Sequence, residues 1–257
     1  MQRILLHATE VEWAFRPAVP IHNDAALCAG TIAHMNRPVL IPLWLLPWLF
    51  LQPTALAAQA QAPEMPTCVP IAQRTREAGC WIIVDQRVGR VSPEPTFWHL
   101  DTFPTRAAAE AAKRPGAAVI EALGKIWLMT IDNADFRAGS GEHVADIGPL
   151  PVNSTMEYSA TYMEAVFAPG MESSTHTHSG PEAWYTMTGE TCLETPSGRM
   201  VGRAGGPPVI VPAGPPMHLT ATGDTIRRAI VLILHDQSQP ATTVTHAWTP
   251  KGLCQAR

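Results

Sequence analysis

Lysine is nearly missing from this chain. Only Lys113, Lys125 and Lys251 stand among eighteen basic residues, and the net charge is −4 with a pI of about 6.2. No basic patch forms, which excludes a nucleic-acid partner held through its phosphates. The apolar run from Val39 to Leu51 is thirteen residues long and carries Pro42 and Pro47. That is short of the ~20 residues a spanning helix needs. No C-x-x-C occurs, so zinc knuckles and thioredoxin-like redox motifs are excluded. G-x-S-x-G, H-E-x-x-H and the phosphate-binding P-loop are absent as well. Gly139-Ser140-Gly141 lacks the third glycine and the following helix of a dinucleotide site. No twin arginine precedes the apolar run, and no internal repeat is found.

What is present begins with an export signature. Residues 35–60 place Arg37 before the apolar run, then small residues ending in Ala58-Gln59-Ala60. These are the three parts of a secretory signal peptide, with A-x-A sites after Ala57 or Ala60; retention as an uncleaved anchor is the alternative. A signal belongs at the start of a chain, so Met35 is expected to be the initiator and 1–34 a misassigned upstream start. The protein is then periplasmic or secreted. Removal of 1–60 leaves Cys68, Cys80, Cys192 and Cys254. An even count in an exported protein points to disulfides, with three possible pairings, or else to buried free thiols. A pairing among Cys68, Cys80 and Cys254 is preferred, with Cys192 left open.

Along the remaining chain, Gln61 to Pro70 is a proline-rich arm over the sheet. Residues 68–150 read as a small α+β unit. Strands are expected at Trp81–Val84, Thr96–Leu100, Ala117–Glu121 and Lys125–Ile131. A helix over Pro104–Lys113 is capped by Thr102 or Thr105 and stopped by Pro115-Gly116. Asp146–Asn153, with its Gly-Pro, reads as a linker. From 155 to 240 the pattern becomes strands and turns, which points to a β-sandwich or barrel. Ala229–His235 is an unbroken apolar run, expected to be a strand covered on both faces. Residues 241–257 form a C-terminal tail.

The chemistry concentrates in Gly170–Gly189, GMESSTHTHSGPEAWYTMTG. His176 and His178, at i and i+2, face the same side of an extended strand. Glu182 shares their parity and joins that side if the strand resumes after Ser179-Gly180-Pro181. Two imidazoles with one carboxylate suit Fe, Mn, Zn, Ni or Cu and are too rich in nitrogen for Ca or Mg. One divalent transition metal ion is therefore the expected cofactor. Trp184, Thr186 and Thr188 share the parity of Glu182 and face the interior, as core or as substrate contacts. His99, His143, His235 and His246 have no ligand partner at useful spacing and are assigned to structure. Arg199 and Arg203 are expected in solvent.

At these residues the sequence resembles the cupins. Their first motif, G, five residues, H-x-H, three or four residues, E, six residues, G, is filled by Gly170, His176, His178, Glu182 and Gly189. The second, G, five residues, P-x-G, two residues, H, three residues, N, is met at Gly206, Pro212 and Gly214. It departs at His218, three residues past Gly214 rather than two, and at Thr222 in place of Asn. The resemblance implies a mainly β fold, a cupin jelly-roll β-barrel with an α+β N-terminal extension. It implies His218 as fourth metal ligand beside His176, His178 and Glu182. It also implies a metal-dependent enzyme of dioxygenase, oxidase or decarboxylase type on a small organic molecule. A non-catalytic ligand-binding or sensing domain with a structural metal is the alternative. A homodimer is implied by the same analogy.

Overall fold

The computed structural model describes residues 64–65 and 68–255. The expected export segment at 35–60, and the residues before it, lie outside the described residues.

Side-chain alternation sets the layers. Successive residues of a strand face opposite sides, so a strand buried at every position must be covered on both. Tyr158–Phe167 is buried throughout, and Arg227–Asp236 is buried except at Arg228 and Asp236. The two pair antiparallel along their whole length in the middle of a six-stranded sheet. Met163, Ala165, Phe167, Val231 and Ile233 project to one side, into a cluster with Trp184, Leu193 and Leu219. Tyr158, Ala160, Tyr162, Ile230, Leu232 and Leu234 project to the other, among Trp98, Leu100, Ile120 and Trp127. The six-stranded sheet is thus the middle of three layers. Each large apolar side chain it buries contributes about 1.5–3 kcal/mol.

A five-stranded sheet covers the first face, in the order Glu64–Met65, Glu172–Ser173, His218–Thr222, Glu190–Thr195, Gly198–Arg203. Neighbours in both sheets lie far apart in sequence: Glu182–Thr188 pairs with Arg227–Asp236, and Glu190–Thr195 with His218–Thr222. This is the double-sheet jelly-roll arrangement. A four-stranded sheet covers the opposite face, with Thr96–Phe103 between Lys125–Asn133 and Glu142–Leu150, and Ala118–Ala122 at one edge. Gly79–Gly89, within the expected α+β region, pairs with Tyr158–Phe167 and so belongs to the jelly-roll sheet.

The single α-helix of the described residues, Arg106–Ala112, starts where Thr105 accepts a hydrogen bond from the Ala108 amide at 3.1 Å. The linker expected at 146–153 is corrected: Glu142–Leu150 is a strand. It lies at the sheet edge, where a proline forfeits no interior ladder bond. The register shifts there between Thr96 and Trp98, which accommodates Gly148-Pro149. The disulfides are Cys68–Cys80 and Cys192–Cys254. The preferred pairing therefore holds for Cys68 with Cys80, whereas Cys254 joins Cys192. Glu190–Thr195 carries Cys192 to the end of the chain, whose tail packs on the same strand.

Candidate metal centre

His176 and Glu182 arrive on separate strands, with His178 in the turn between them. His176–Thr177 is a short strand paired with Thr243–Val244 of the tail. The chain then turns through 178–181 and enters Glu182–Thr188, inside the six-stranded sheet. Gly180 makes that turn possible. A Cβ there would lie 1.8 Å from the carbonyl oxygen of Leu234, so the loop rests directly on the backbone of the neighbouring strand. Gly189 closes the motif for a second reason. Its φ is +68°, and an added Cβ would meet Arg227 Cα at 2.7 Å; only glycine takes both conditions without strain.

His176, His178 and Glu182 are brought together as expected, with one ligand atom from each lying within 4.8 Å of the others. All three are buried, at 9%, 3% and 5% exposure. Each imidazole is oriented from behind. His176 Nδ1 lies 2.7 Å from the Ser174 carbonyl oxygen, and His178 Nδ1 lies 2.6 Å from that of Ala241. Carbonyls only accept, so both Nδ1 atoms carry a proton, and in the neutral ring each Nε2 is then the lone-pair atom, the tautomer a metal requires. His178 Nε2 stands 3.4 Å from Glu182 Oε2, yet neither atom has a hydrogen-bond partner. Orphaned buried acceptors facing one another are costly unless something positive joins them. The donor set fits a transition metal ion.

The electrostatics agree with that need. Burial pushes the His176 pKa down, with neighbouring His178 adding to the fall, so this imidazole is kept neutral. Burial pushes His178 down too, but the Glu182 carboxylate outweighs it and the net direction is up. Burial would raise Glu182, yet His178 and His176 hold it below the usual carboxylate range. Two neutral-capable imidazoles and a committed carboxylate remain.

His218 is not brought into this cluster. It opens the strand His218–Thr222, and Leu219 beside it lines the cavity. Alternation therefore turns His218 to the other face, where its Nε2 stands 3.6 Å from Glu172. The extra residue after Gly214 is the physical cause. Two residues past Gly214, the motif's histidine position is occupied by Met217, which exchanges both backbone hydrogen bonds with His176 at 3.0 and 2.8 Å. Met217 is buried in the inner cluster. Thr186 and Thr188 are only partly buried or exposed, while Trp184 faces inward at 1% exposure. Arg199 and Arg203 are exposed as expected. His99 is tied to Asp146 at 2.6 Å and to the Asn133 carbonyl at 2.9 Å, a structural pairing.

The triad forms one wall of a cavity of about 60 Å³. Met163, Phe167, Trp184, Val231 and Ile233 supply apolar walls, and the Cys68–Cys80 pair lies at its side. One charged residue of the cavity escaped the reading of the sequence. Arg227 lines the cavity at 1% exposure, its guanidinium carbon 5.1 Å from the Phe167 ring and 5.2 Å from the Trp184 ring. Burial lowers its pKa to about 10, opposed by the charge of Glu182, so it stays protonated at neutral pH. The available signal was parity: Arg227 shares the face of Val231 and Ile233, and a charge there is unusual in a strand covered on both sides.

No family model and no curated protein matches the chain. Solved structures do. A cupin superfamily protein from Desulfitobacterium hafniense is 16% identical over 34% of this chain and 74% of that one, with a TM-score of 0.28. A DMSP lyase, DddQ, from Ruegeria pomeroyi is 23% identical over 36% and 45%, with a TM-score of 0.30. An oxalate oxidase in complex with the substrate analogue glycolate is 22% identical over 34% and 46%, with a TM-score of 0.29. This chain spans under half the length of those two enzymes. Scores of this size carry no inference about activity, and the weight rests on the residues themselves. In motif, in double-sheet architecture and in the three residues gathered at its centre, the chain is similar to the cupin superfamily.

Proposed function

We propose that this protein binds one divalent transition metal ion through His176, His178 and Glu182 and is a metal-dependent enzyme acting on a small organic molecule. The reaction is of dioxygenase, oxidase or decarboxylase type. The observation that carries the reading is the pair of buried, unpartnered acceptors, His178 Nε2 and Glu182 Oε2, at the wall of an apolar cavity. A bound metal supplies a Lewis acid or redox centre at that wall. Three protein ligands leave further coordination positions for a ligand in the cavity. The carbonyls of Ser174 and Ala241 fix the imidazoles, Glu182 supplies the negative charge, and the apolar walls exclude bulk water. The two disulfides support a place outside the cytoplasm, in the periplasm or secreted, since such bonds persist in oxidising compartments.

Metal analysis of protein isolated from its own compartment is the deciding experiment, because tight-binding Cu and Zn compete there and metal supply helps decide which ion is held. A near-stoichiometric ion is expected in the wild type. His176→Ala should lose metal and turnover together, while His218→Ala should retain its metal. A metal-free variant with full turnover would refute the enzyme reading. Tightly held zinc with no turnover of any candidate substrate would replace it by the ligand-binding alternative.

A further inference from the structure

The metal centre makes no use of Arg227. Its side chain is buried at 1% exposure, and none of Nε, Nη1 and Nη2 has a hydrogen-bond partner. A guanidinium carries five N–H donors, and burying one with no acceptor in reach is strongly unfavourable. What the protein does supply is two aromatic rings beneath the cation, Phe167 with its centroid 5.1 Å and Trp184 with its centroid 5.2 Å from the guanidinium carbon. Such contacts engage the π-faces of the rings with the positive charge and satisfy none of the N–H donors as hydrogen bonds. A planar fork of unpartnered donors is the complement of a carboxylate, which accepts two parallel hydrogen bonds from it.

Glu182 is not that carboxylate. It lines the same cavity, but it faces His178 at 3.4 Å and hydrogen-bonds to neither guanidinium nitrogen nor imidazole. Charge argues the same way. With a divalent metal at the triad, the ion and Arg227 together outweigh the single carboxylate of Glu182, so the cavity is net positive and favours an anion. Between the two polar ends, Val231, Ile233, Met163 and Leu219 offer only apolar side chains. A cavity of about 60 Å³ has room for roughly four to six water-sized centres, at about 10–15 Å³ each.

We propose that the ligand of this cavity is a small carboxylate of about two to four carbons, held through its carboxylate by Arg227 with its other end at the metal centre. The second half of that statement rests on the metal-dependent reading above; the recognition by Arg227 does not.

The test uses the whole protein, metal-loaded and metal-free, titrated with propionate and with the neutral isostere propionamide. Binding is followed by calorimetry and by the fluorescence of the tryptophans, the Trp184 ring lying 5.2 Å from the guanidinium carbon. Propionate should bind at least tenfold more tightly than propionamide in both forms. Arg227→Met, similar in volume and uncharged, should erase that preference while keeping the wild-type metal content. Equal binding of the two probes, no binding of either, or a preference that survives in Arg227→Met overturns the proposal. Folding is checked by the melting temperature. Arg227→Met removes an unpaired buried charge, so it should melt at or above the wild-type temperature. A lower melting temperature together with lost binding would assign Arg227 to the fold and overturn the proposal as well. Purified protein that never holds metal, yet still prefers propionate, would remove the enzyme reading and leave the carboxylate site standing.

Discussion

Gly180→Ala is the sharpest test of how the metal loop is built. The added Cβ would stand 1.8 Å from the Leu234 carbonyl oxygen, 2.8 Å from its carbon and 3.0 Å from His235 Cα. A carbon–oxygen contact sits near 3.3 Å, so loop or strand must move by about 1.5 Å. Three hydrogen bonds hold the loop in place: Leu234 N to Pro181 O at 2.9 Å, Gly214 N to His178 O at 3.0 Å, and Asp236 N to Ser179 Oγ at 3.1 Å. A shift of that size takes two or three of them past bonding distance, at about 1 kcal/mol each, with further cost for groups left unpaired. The expected loss is about 2–4 kcal/mol. For a folded unit of this size that lowers the melting temperature by roughly 5–15 °C. Metal coordination tolerates only about 0.2 Å of error in ligand distance, and the loop joins His178 to Glu182, so metal should be lost at the same time. Elemental analysis and thermal melting, with and without added metal, read both effects. A variant that melts within a degree of wild type and keeps full metal would show that the close approach at Gly180 does not position the site.

Other consequences follow from the same geometry. The His178 pKa is raised and that of His176 lowered from the ordinary imidazole value of 6.5, so of the two it is His178 that takes up a second proton first as the pH falls, and a metal must then displace it. Apparent metal affinity should therefore weaken by up to about tenfold per pH unit as the pH falls below the raised His178 value, with up to about one proton released per ion bound there. Calorimetry in buffers of different ionisation enthalpy measures that proton, and a pH-independent affinity would contradict the assignment. The disulfides differ in the length of chain they close, 62 residues for Cys192–Cys254 against 12 for Cys68–Cys80. Chain-entropy reasoning gives about 4 kcal/mol for the first and about 3 kcal/mol for the second. Denaturant unfolding of the paired Cys→Ser variants should place them in that order, and the reverse order would set the entropic account aside.

What could be read along the chain was whatever depends on neighbours in sequence. The parity of His176, His178 and Glu182 is local, because the period of a strand is two, and the structure gathers those three side chains at one point. The apolar run Ala229–His235 was legible for the same reason, as hydrophobicity without alternation means cover on both faces. Thr105 and the alanines after it marked the one helix, again within a single turn. Other features depended on strands that meet only after folding. Glu142–Leu150 is a strand despite its proline because it lies at an edge, and no local pattern says which strand is an edge. Cys254 reaches Cys192 because the tail returns to Glu190–Thr195, where Glu194 accepts from the backbone of Lys251 and Leu253. His218 has the right residue type at the wrong phase, and one extra residue exchanges its place with Met217. Arg227 shows the difference most plainly. Its neighbours Phe167 and Trp184 come from strands sixty and forty-three positions earlier in the sequence. The three residues proposed to hold the metal lie within one short stretch of sequence, whereas the proposed anion-binding end of the cavity exists only where three strands are laid side by side.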